Sequence, residues 1–311
     1  MSGSDAGEQP FGGDGMQTTH APLPEENVSL SPGLYVVATP LGNLADISRR
    51  ALDVLSSATV IAAEDTRHSA RLLQHYQIRA ETVSCHEFTS EGKIQYLLSR
   101  MQAGDSIALI SDAGTPLISD PGYVLVAACH RLGLPVHPVP GACAAIAALS
   151  VAGLPSHNFR FEGFLPAKPG NRKKALKSLA GETATMIFYE APHRVMACVE
   201  DLVEVFGGDR EMTVCRELTK RWETVRCATA ESIAEWMKAD SNQQRGEFVL
   251  VVAGMAPADT GDEISDEVRH MLTVLVGCMP VSQAAAVAAK ISGLKKNQLY
   301  QIALRMQGGA E

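Results

Sequence analysis

From Gly33 onward the chain alternates short apolar runs with longer stretches of helical periodicity. Apolar, often β-branched runs at 34–39, 59–63, 82–85, 106–110 and 136–139 predict strands. Between them, 48–57, 67–76, 91–102 and 121–132 place apolar residues three and four apart, the spacing of a helix face. Continuous apolar strands alternating with helices predict a parallel sheet covered on both sides. An alanine-rich helix at 142–151 is broken by Gly153 and Pro155, which marks a domain boundary. A second α/β stretch follows, with strands at 160–163, 186–189, 213–217, 223–228 and 248–253 and helices at 172–179, 193–205 and 230–238. The link between 217 and 223 is too short for a parallel crossover, so part of this second sheet is expected to be antiparallel. After an acidic linker at 256–267 comes a helical tail, about 266–306. The expected organisation is a disordered acidic tail (1–30), an N-terminal α/β domain (31–152), a second α/β domain (153–256), and a linker with a helical region (257–311).

With 311 residues, 46% hydrophobic and 20% charged, the chain has room for two domains. No apolar run approaches a membrane span and the N-terminus lacks a signal-peptide pattern, so a cytoplasmic protein without membrane contact is expected. Seven cysteines (85, 129, 143, 198, 215, 227 and 278) form no CxxC pair, which reads as reduced thiols with neither disulfide framework nor metal site. The net charge of −8 argues against a polyanionic partner only until its distribution is read. Residues 1–30 and 259–267 each carry five acids and no base, which leaves the rest of the chain at +2. Local patches therefore decide.

The richest local chemistry is the segment SDAGTPLISDPG (111–122), directly after the apolar run 106–110. Strand ends of open α/β sheets build ligand sites, and Gly114 and Gly122 allow close backbone approach. Asp112 offers an acceptor for a ribose, an amine or a cation. Asp120 and Pro121 fit the start of the next helix, as N-cap and first helical residue. Loops 39–46, 64–68 and 138–143 would gather at the same sheet edge. None is a GxGxxG fingerprint or a Walker loop, which disfavours dinucleotides and ATP. Small residues with little positive charge suit a neutral or zwitterionic adenosyl ligand. Segments 188–194 and 215–223 occupy the corresponding strand ends of the second domain.

Together, TPLGNLAD (39–46), EDTRH (64–68), SDAGTPLISDPG (111–122), PVPGA (138–142), FEGFLP (161–166), FYEAPHR (188–194), CRELTK (215–220) and GEFVLVV (246–252) resemble the ribosomal RNA small subunit methyltransferase I family of the tetrapyrrole-methylase superfamily. The resemblance covers about 33–306 in one order. It implies a two-domain tetrapyrrole-methylase-like α/β fold, with a parallel N-terminal sheet, a mixed second sheet and a helical tail. It also implies S-adenosylmethionine between the domains, a homodimer, and 2′-O-methylation of a cytidine in the decoding region of small-subunit (16S) ribosomal RNA. By residue it places Leu41, Asp112, Gly114 and Thr115 near the methionine and ribose of the cofactor. Gly141, Ala142 and Cys143 would lie beside its adenosyl group, with Phe188, Tyr189, Ala253 and Gly254 closing the pocket. Cys143 stands where the family commonly has serine, and CHEFTSEGK (85–93) follows the family pattern only at His86 and Glu87.

A ribose hydroxyl is a poor nucleophile, so a base or a cationic donor for the developing alkoxide would help. Glu190, His193, Arg194, Arg216 and Glu217 are the candidates, with Glu190 or Glu217 as base. The alternative is a structural ion-pair network, Glu190 with Arg194 and Arg216 with Glu217. For RNA, the segment 168–177 supplies Lys168, Arg172, Lys173, Lys174 and Lys177 as phosphate contacts, and Arg194, Arg216, Lys220, Arg221 and Arg226 extend the rim. A solvated helix face is the alternative for that run. Residues 281–306 read as two helices turning at Gly293, similar to a helix-turn-helix. Lys295, Lys296 and Arg305 would meet phosphate, and Leu299, Ile302 and Ala303 would pack. Auxiliary RNA contact is expected of this tail, not DNA reading. A sister enzyme acting on a tetrapyrrole, or a ligand-sensing module with a helix-turn-helix, are the competing readings.

Overall fold

The computed structural model describes residues 29–255 and 264–308. The expectations for the acidic N-terminal tail, apart from its last two residues, and for most of the acidic linker lie outside the described residues. The first sheet is built from β1 (Gly33–Val37), α1 (Arg49–Ser57), β2 (Val60–Ala63), α2 (Thr66–His75), β3 (Glu81–Ser84), α3 (Glu91–Gln102), β4 (Ser106–Ile110), α4 (Tyr123–Arg131), β5 (Val136–Val139) and α5 (Ala144–Val151). Its order is β3-β2-β4-β1-β5, with every neighbouring pair parallel.

The alternating side-chain direction of a strand explains why these segments are apolar throughout. In β4, Ile107 and Leu109 join a core with Leu97 and Leu98 of α3 and Leu125 of α4. Ala108 and Ile110 point the other way, into a core with Val54 and Leu55 of α1 and Leu73 of α2. Each fully buried Leu or Ile contributes about 1.5–3 kcal/mol. Helix starts follow local chemistry: Ser48 Oγ accepts from the Ala51 amide and Asp65 Oδ1 from the Arg67 amide.

The second sheet uses β6 (Phe159–Phe164), α6 (Pro169–Leu179), β7 (Thr185–Glu190), α7 (Val195–Phe206), β8 (Glu211–Arg216), β9 (Thr224–Thr229), α8 (Ala230–Ala239) and β10 (Phe248–Val252), in the order β6-β7-β10-β8-β9. β6 and β7 are parallel. β8 and β10 run antiparallel, since the Ala253 amide bonds to Glu211 O at one end and the Glu217 amide to Glu247 O at the other. The sheet is mixed, as the short link at 217–223 predicts. The tail folds as α9 (Asp266–Cys278), α10 (Val281–Ser292) and α11 (Lys296–Gly308), around Leu272, Ala285, Ala288, Leu299, Ile302 and Ala303. Gly293 takes the left-handed conformation that ends α10, with φ 75°. Among the described residues no helix is long and apolar enough to cross a membrane.

Contacts divide the chain into two compact units. The first runs to Val151 and takes in Cys215–Val225 and Gly246–Val249; the second holds the remainder.

One predicted helix start is wrong. α4 begins at Tyr123 with Gly122 as N-cap, and no side chain caps it. Gly122 sits at φ 127°, and a Cβ there would lie 2.8 Å from Leu109 Cδ2. The chain reaches the helix through this glycine, so Asp120 is left behind in the strand-end loop.

Candidate functional site

In the first unit, five of the predicted cofactor residues sit around one joint. The loops after β1 and β4 are fastened by a two-bond bridge: the Thr39 amide to Gly114 O at 2.8 Å and the Gly114 amide to Thr39 O at 3.0 Å. Gly114 is at φ 81°, and a Cβ on it would meet Leu41 Cδ2 at 3.2 Å and Ala142 O at 3.7 Å. Thr115 Oγ1 donates to Ala142 O at 2.9 Å, which ties in the loop after β5. Gly141 lies against Ala38, where a Cβ would approach Ala38 Cβ at 3.0 Å. Leu41, Gly114, Thr115, Gly141 and Ala142 are thus brought together, and Cys143, half-buried, accepts the Ala147 amide at the head of α5.

Asp112 belongs to a neighbouring clasp. Its Oδ1 accepts the Asp65 amide at 3.2 Å, while its own amide donates to Glu64 Oε2 at 3.3 Å. Burial pushes the Glu64 carboxyl up, against the Asp112 amide that favours its charged form. Asp120 stands beside this clasp. Burial pushes its carboxyl up to about 6, opposed by a hydrogen bond with Ser111 and reinforced by the nearby charges of Glu64 and Asp112.

The segment 215–225 belongs to the same unit. The Lys220 side chain crosses Gly42, where a Cβ would fall 2.5 Å from Lys220 Cγ and 2.7 Å from Cε. Lys220 Nζ bonds to Glu217 Oε1 at 3.1 Å and Glu247 Oε2 at 2.8 Å. Glu217 also accepts the Glu247 amide at 2.9 Å. Burial works against the charge of Glu217, but the Glu247 amide and Lys220 outweigh it and hold its carboxyl below the usual range. A carboxylate so held is a weak base, and Glu217 is withdrawn from that role. Its predicted partner was also wrong: Glu217 pairs with Lys220, not Arg216. Arg216 is 8% exposed, and its Nε has no hydrogen-bond partner among the described residues.

The second unit holds the other predicted residues. Glu190 is buried at the end of β7, with its Oε1 2.9 Å from Arg194 Nε and accepting the Ala191 amide at 2.8 Å. Arg194 also donates to Leu165 O at 2.5 Å. A carboxylate enclosed in this way cannot reach a ribose, so the base assignment fails for Glu190 too, and the structural ion-pair alternative describes it. His193 is exposed one residue before the N-cap of α7. Phe188 is fully buried core, and Tyr189 meets Phe161 and Phe164 edge-on at 4.9 and 5.7 Å. Gly254 has a structural reason, since a Cβ would fall 2.0 Å from Thr183 O. Ala253 is half-buried, and its carbonyl accepts from Arg210 at 3.1 Å.

The cationic run divides. Arg172 is 2% exposed and bonds Asp201 Oδ2 at 2.6 Å, which corrects its assignment as a phosphate contact. Lys173 is held by Glu204 at 2.5 Å. Lys168, Lys174 and Lys177 face solvent. Arg194 is spent on Glu190 and Leu165, which removes it from the RNA set as well. Sequence reasoning missed Asp201 and Glu247, the acids that fix Arg172 and Lys220. Glu247 stands inside the GEFVLVV motif, next to Gly246 at φ 94°, and that glycine was its signal.

The family model for Tetrapyrrole (Corrin/Porphyrin) Methylases matches residues 33–234, and the model for the RsmI C-terminal HTH domain matches 262–307. The ribosomal RNA small subunit methyltransferase I of Pseudomonas aeruginosa is 51% identical over 275 residues, 88% of this chain and 98% of that protein. Its counterpart from Escherichia coli O157:H7 is 49% identical over 88% of this chain and 96% of that one. Among solved structures, uroporphyrin-III-C-methyltransferase from Thermus thermophilus superimposes with TM-score 0.51 at 23% identity, over 71% of this chain and 94% of that one. Diphthine synthase gives TM-score 0.53 at 17% identity, over 71% and 89%. At such identities these likenesses speak for the fold alone.

Proposed function

Because the chain belongs to the ribosomal RNA small subunit methyltransferase I family of the tetrapyrrole methylases, we propose that it methylates small-subunit ribosomal RNA with S-adenosylmethionine, at the 2′-hydroxyl of a cytidine ribose in the decoding region. The observation that carries this reading is the joint of the Thr39, Gly114 and Ala142 loops. Its centre is glycine and alanine, where an added Cβ would meet Leu41 or Ala38, so three strand-end loops of small residues pack closely at one sheet edge, the place where open α/β sheets bind ligands. These residues fit an adenosyl cofactor: Leu41, Gly114, Thr115, Gly141, Ala142 and Cys143 would hold it, with Asp112 as acceptor. Bound there, the cofactor supplies an electrophilic methyl group on a sulfonium.

The chain's own contribution is positioning, desolvation and charge. Glu190 and Glu217 are both committed to internal partners, so no carboxylate among the predicted set serves as base. Arg216 is the residue assigned to the negative charge that develops on the ribose oxygen. Its cation stabilises that oxygen as the hydroxyl proton leaves to solvent. Lys168, Lys174 and Lys177 serve as phosphate contacts. The halves at 31–152 and 153–256 act as the two working domains, with 215–225 bringing Arg216 beside the strand-end loops. The enzyme works as a homodimer in the cytoplasm: Ile118, Tyr123 and Val124 leave apolar surface exposed around the start of α4, and all seven cysteines are free thiols.

Incubation with methyl-labelled S-adenosylmethionine and undermethylated small subunits tests the reading. Label in the ribose of a cytidine is expected. Cofactor binding with no label in any RNA would sink it, and would favour the ligand sensor.

A further inference from the structure

We propose that Trp222, with Arg221 laid over its ring, is a stacking platform for an unpaired base of the RNA substrate next to the acceptor nucleotide. The inference rests on the RNA-methyltransferase reading and adds to it the residue that holds the strand. Trp222 lies on the 217–223 link between β8 and β9 and is 64% exposed.

The link that carries this ring is pinned. Glu223 Oε2 accepts the Thr219 amide at 2.6 Å, and the Glu223 amide bonds Lys220 O at 3.1 Å. The Trp222 carbonyl accepts from Thr224 Oγ1 at 3.2 Å. Glu217 and Thr219 sit at φ 52° and 66°, left-handed positions that ordinary residues keep only when their surroundings enforce them. The ring is therefore displayed on a rigid support, which lowers the ordering cost of binding.

The surroundings choose nucleic acid over protein. The Arg221 guanidinium lies 5.0 Å from the ring centroid, and Arg221 forms no ion pair among the described residues. A cation over an aromatic face offers a polyanion both a stacking surface and a charge. At the base of the same link, Arg216 Nε and Thr219 Oγ1 are buried without partners among the described residues. Buried donors left unpaired have bonding capacity that a bound strand can take up. The link thus carries unpaired donors in its first half and an exposed ring two residues before β9, and Lys220 ties it to Gly42 of the cofactor loop.

The test uses the full chain. Trp222→Ala should raise the KM for undermethylated subunits about 10-fold, the effect of losing one base–aromatic stack of about 1.4 kcal/mol. Affinity for S-adenosylmethionine and the rate at saturating subunit should stay within about twofold, since the side chain faces solvent. Trp222→Phe should restore most of the loss. The chain has two tryptophans, so Trp236→Phe leaves Trp222 as the sole indole. Its fluorescence should be quenched by a short single-stranded oligocytidylate, and not by inorganic phosphate. An unchanged KM in Trp222→Ala while the wild type methylates, or no quenching, overturns the proposal alone. A Trp222→Ala protein that loses its oligomeric state shows instead that the ring packs on a second copy, which also overturns it. Absence of methyl transfer by the wild type overturns the parent reading and this one together.

Discussion

The ends of β7 and β8 carry the same chemistry in sequence, an acid beside an arginine just past an apolar strand, and the structure uses them differently. At the end of β7, Glu190 and Arg194 close on each other, and the Ala191 amide and Leu165 carbonyl take up further bonding capacity. At the end of β8 the backbone turns left-handed at Glu217, whose carboxylate goes to Lys220 and the Glu247 amide. Arg216 is left buried with no ion pair among the described residues, whereas Arg194, whose Nε likewise makes no hydrogen bond, keeps Glu190 as its counter-charge. The first pair is frame and the second is equipment. A buried charge that keeps its counter-charge belongs to the fold, whereas one without a counter-charge is a standing cost that a ligand can relieve.

The contrast between the two strand ends breaks most easily at the buried pair of β7. Glu190→Ala leaves Arg194 buried without its counter-charge and should cost about 3–5 kcal/mol, a drop of roughly 10 °C in Tm. Glu190→Gln should methylate at a near-normal rate per folded molecule. A thousandfold loss of single-turnover rate in Glu190→Gln with an unmoved Tm would reverse the two roles. Arg216→Ala should do the opposite, with Tm held within about 2 °C and the single-turnover rate falling about 10²–10³-fold, the range for removing one donor to a developing oxyanion. Arg216→Lys keeps the charge but not the planar fork, and should recover only part of the rate.

The distinction was out of reach in the sequence. Strand positions, helix faces and the parallel character of the first sheet follow from apolar periodicity, and β4, β5 and α3 fall where the pattern puts them. The gathering of 39–46, 111–122 and 138–143 at one edge follows from the same alternation. What periodicity cannot report is who satisfies whom. Arg172 reads as one of five surface cations because its partner Asp201 is 29 residues away, on the next helix. Glu217 reads as the neighbour of Arg216 because nothing local announces a left-handed residue other than glycine. Asp120–Pro121 reads as a helix start because the close approach of Gly122 to Leu109 is a contact between distant segments.

The same test of satisfaction sorts the lysines, with a smaller expected effect. Lys174 and Lys177 are exposed, whereas Lys173 is held by Glu204 and lies 3.6 Å from Asp201. Replacing Lys174 and Lys177 together by Ala should weaken subunit binding several-fold and flatten the dependence of log affinity on log salt by about 1 per cation. Lys173→Ala should change the slope by less than half as much. A slope change for Lys173→Ala of half that of the double variant or more would show that ion pairing on the helix surface does not govern which cations meet phosphate.

The smallest effect belongs to Asp120, which sits among charges of its own sign. Its folded carboxyl is raised from 3.8 to about 6, chiefly by burial, so the folded protein favours the protonated form. Any stability gained from that protonated form is fully present below about pH 4 and is lost as pH rises through about 6. Asp120→Asn mimics the protonated state and should match the wild type near pH 4. At pH 7–8 it should be more stable by about 1 kcal/mol, allowing for solvent screening of a half-buried group, or roughly 2–4 °C in Tm. Denaturation followed across pH 4–8 measures the gap. A gap that narrows as pH rises would mean that Asp120, like Glu190, has a cation that completes it, and the clasp of Glu64 and Asp112 would then belong with the frame.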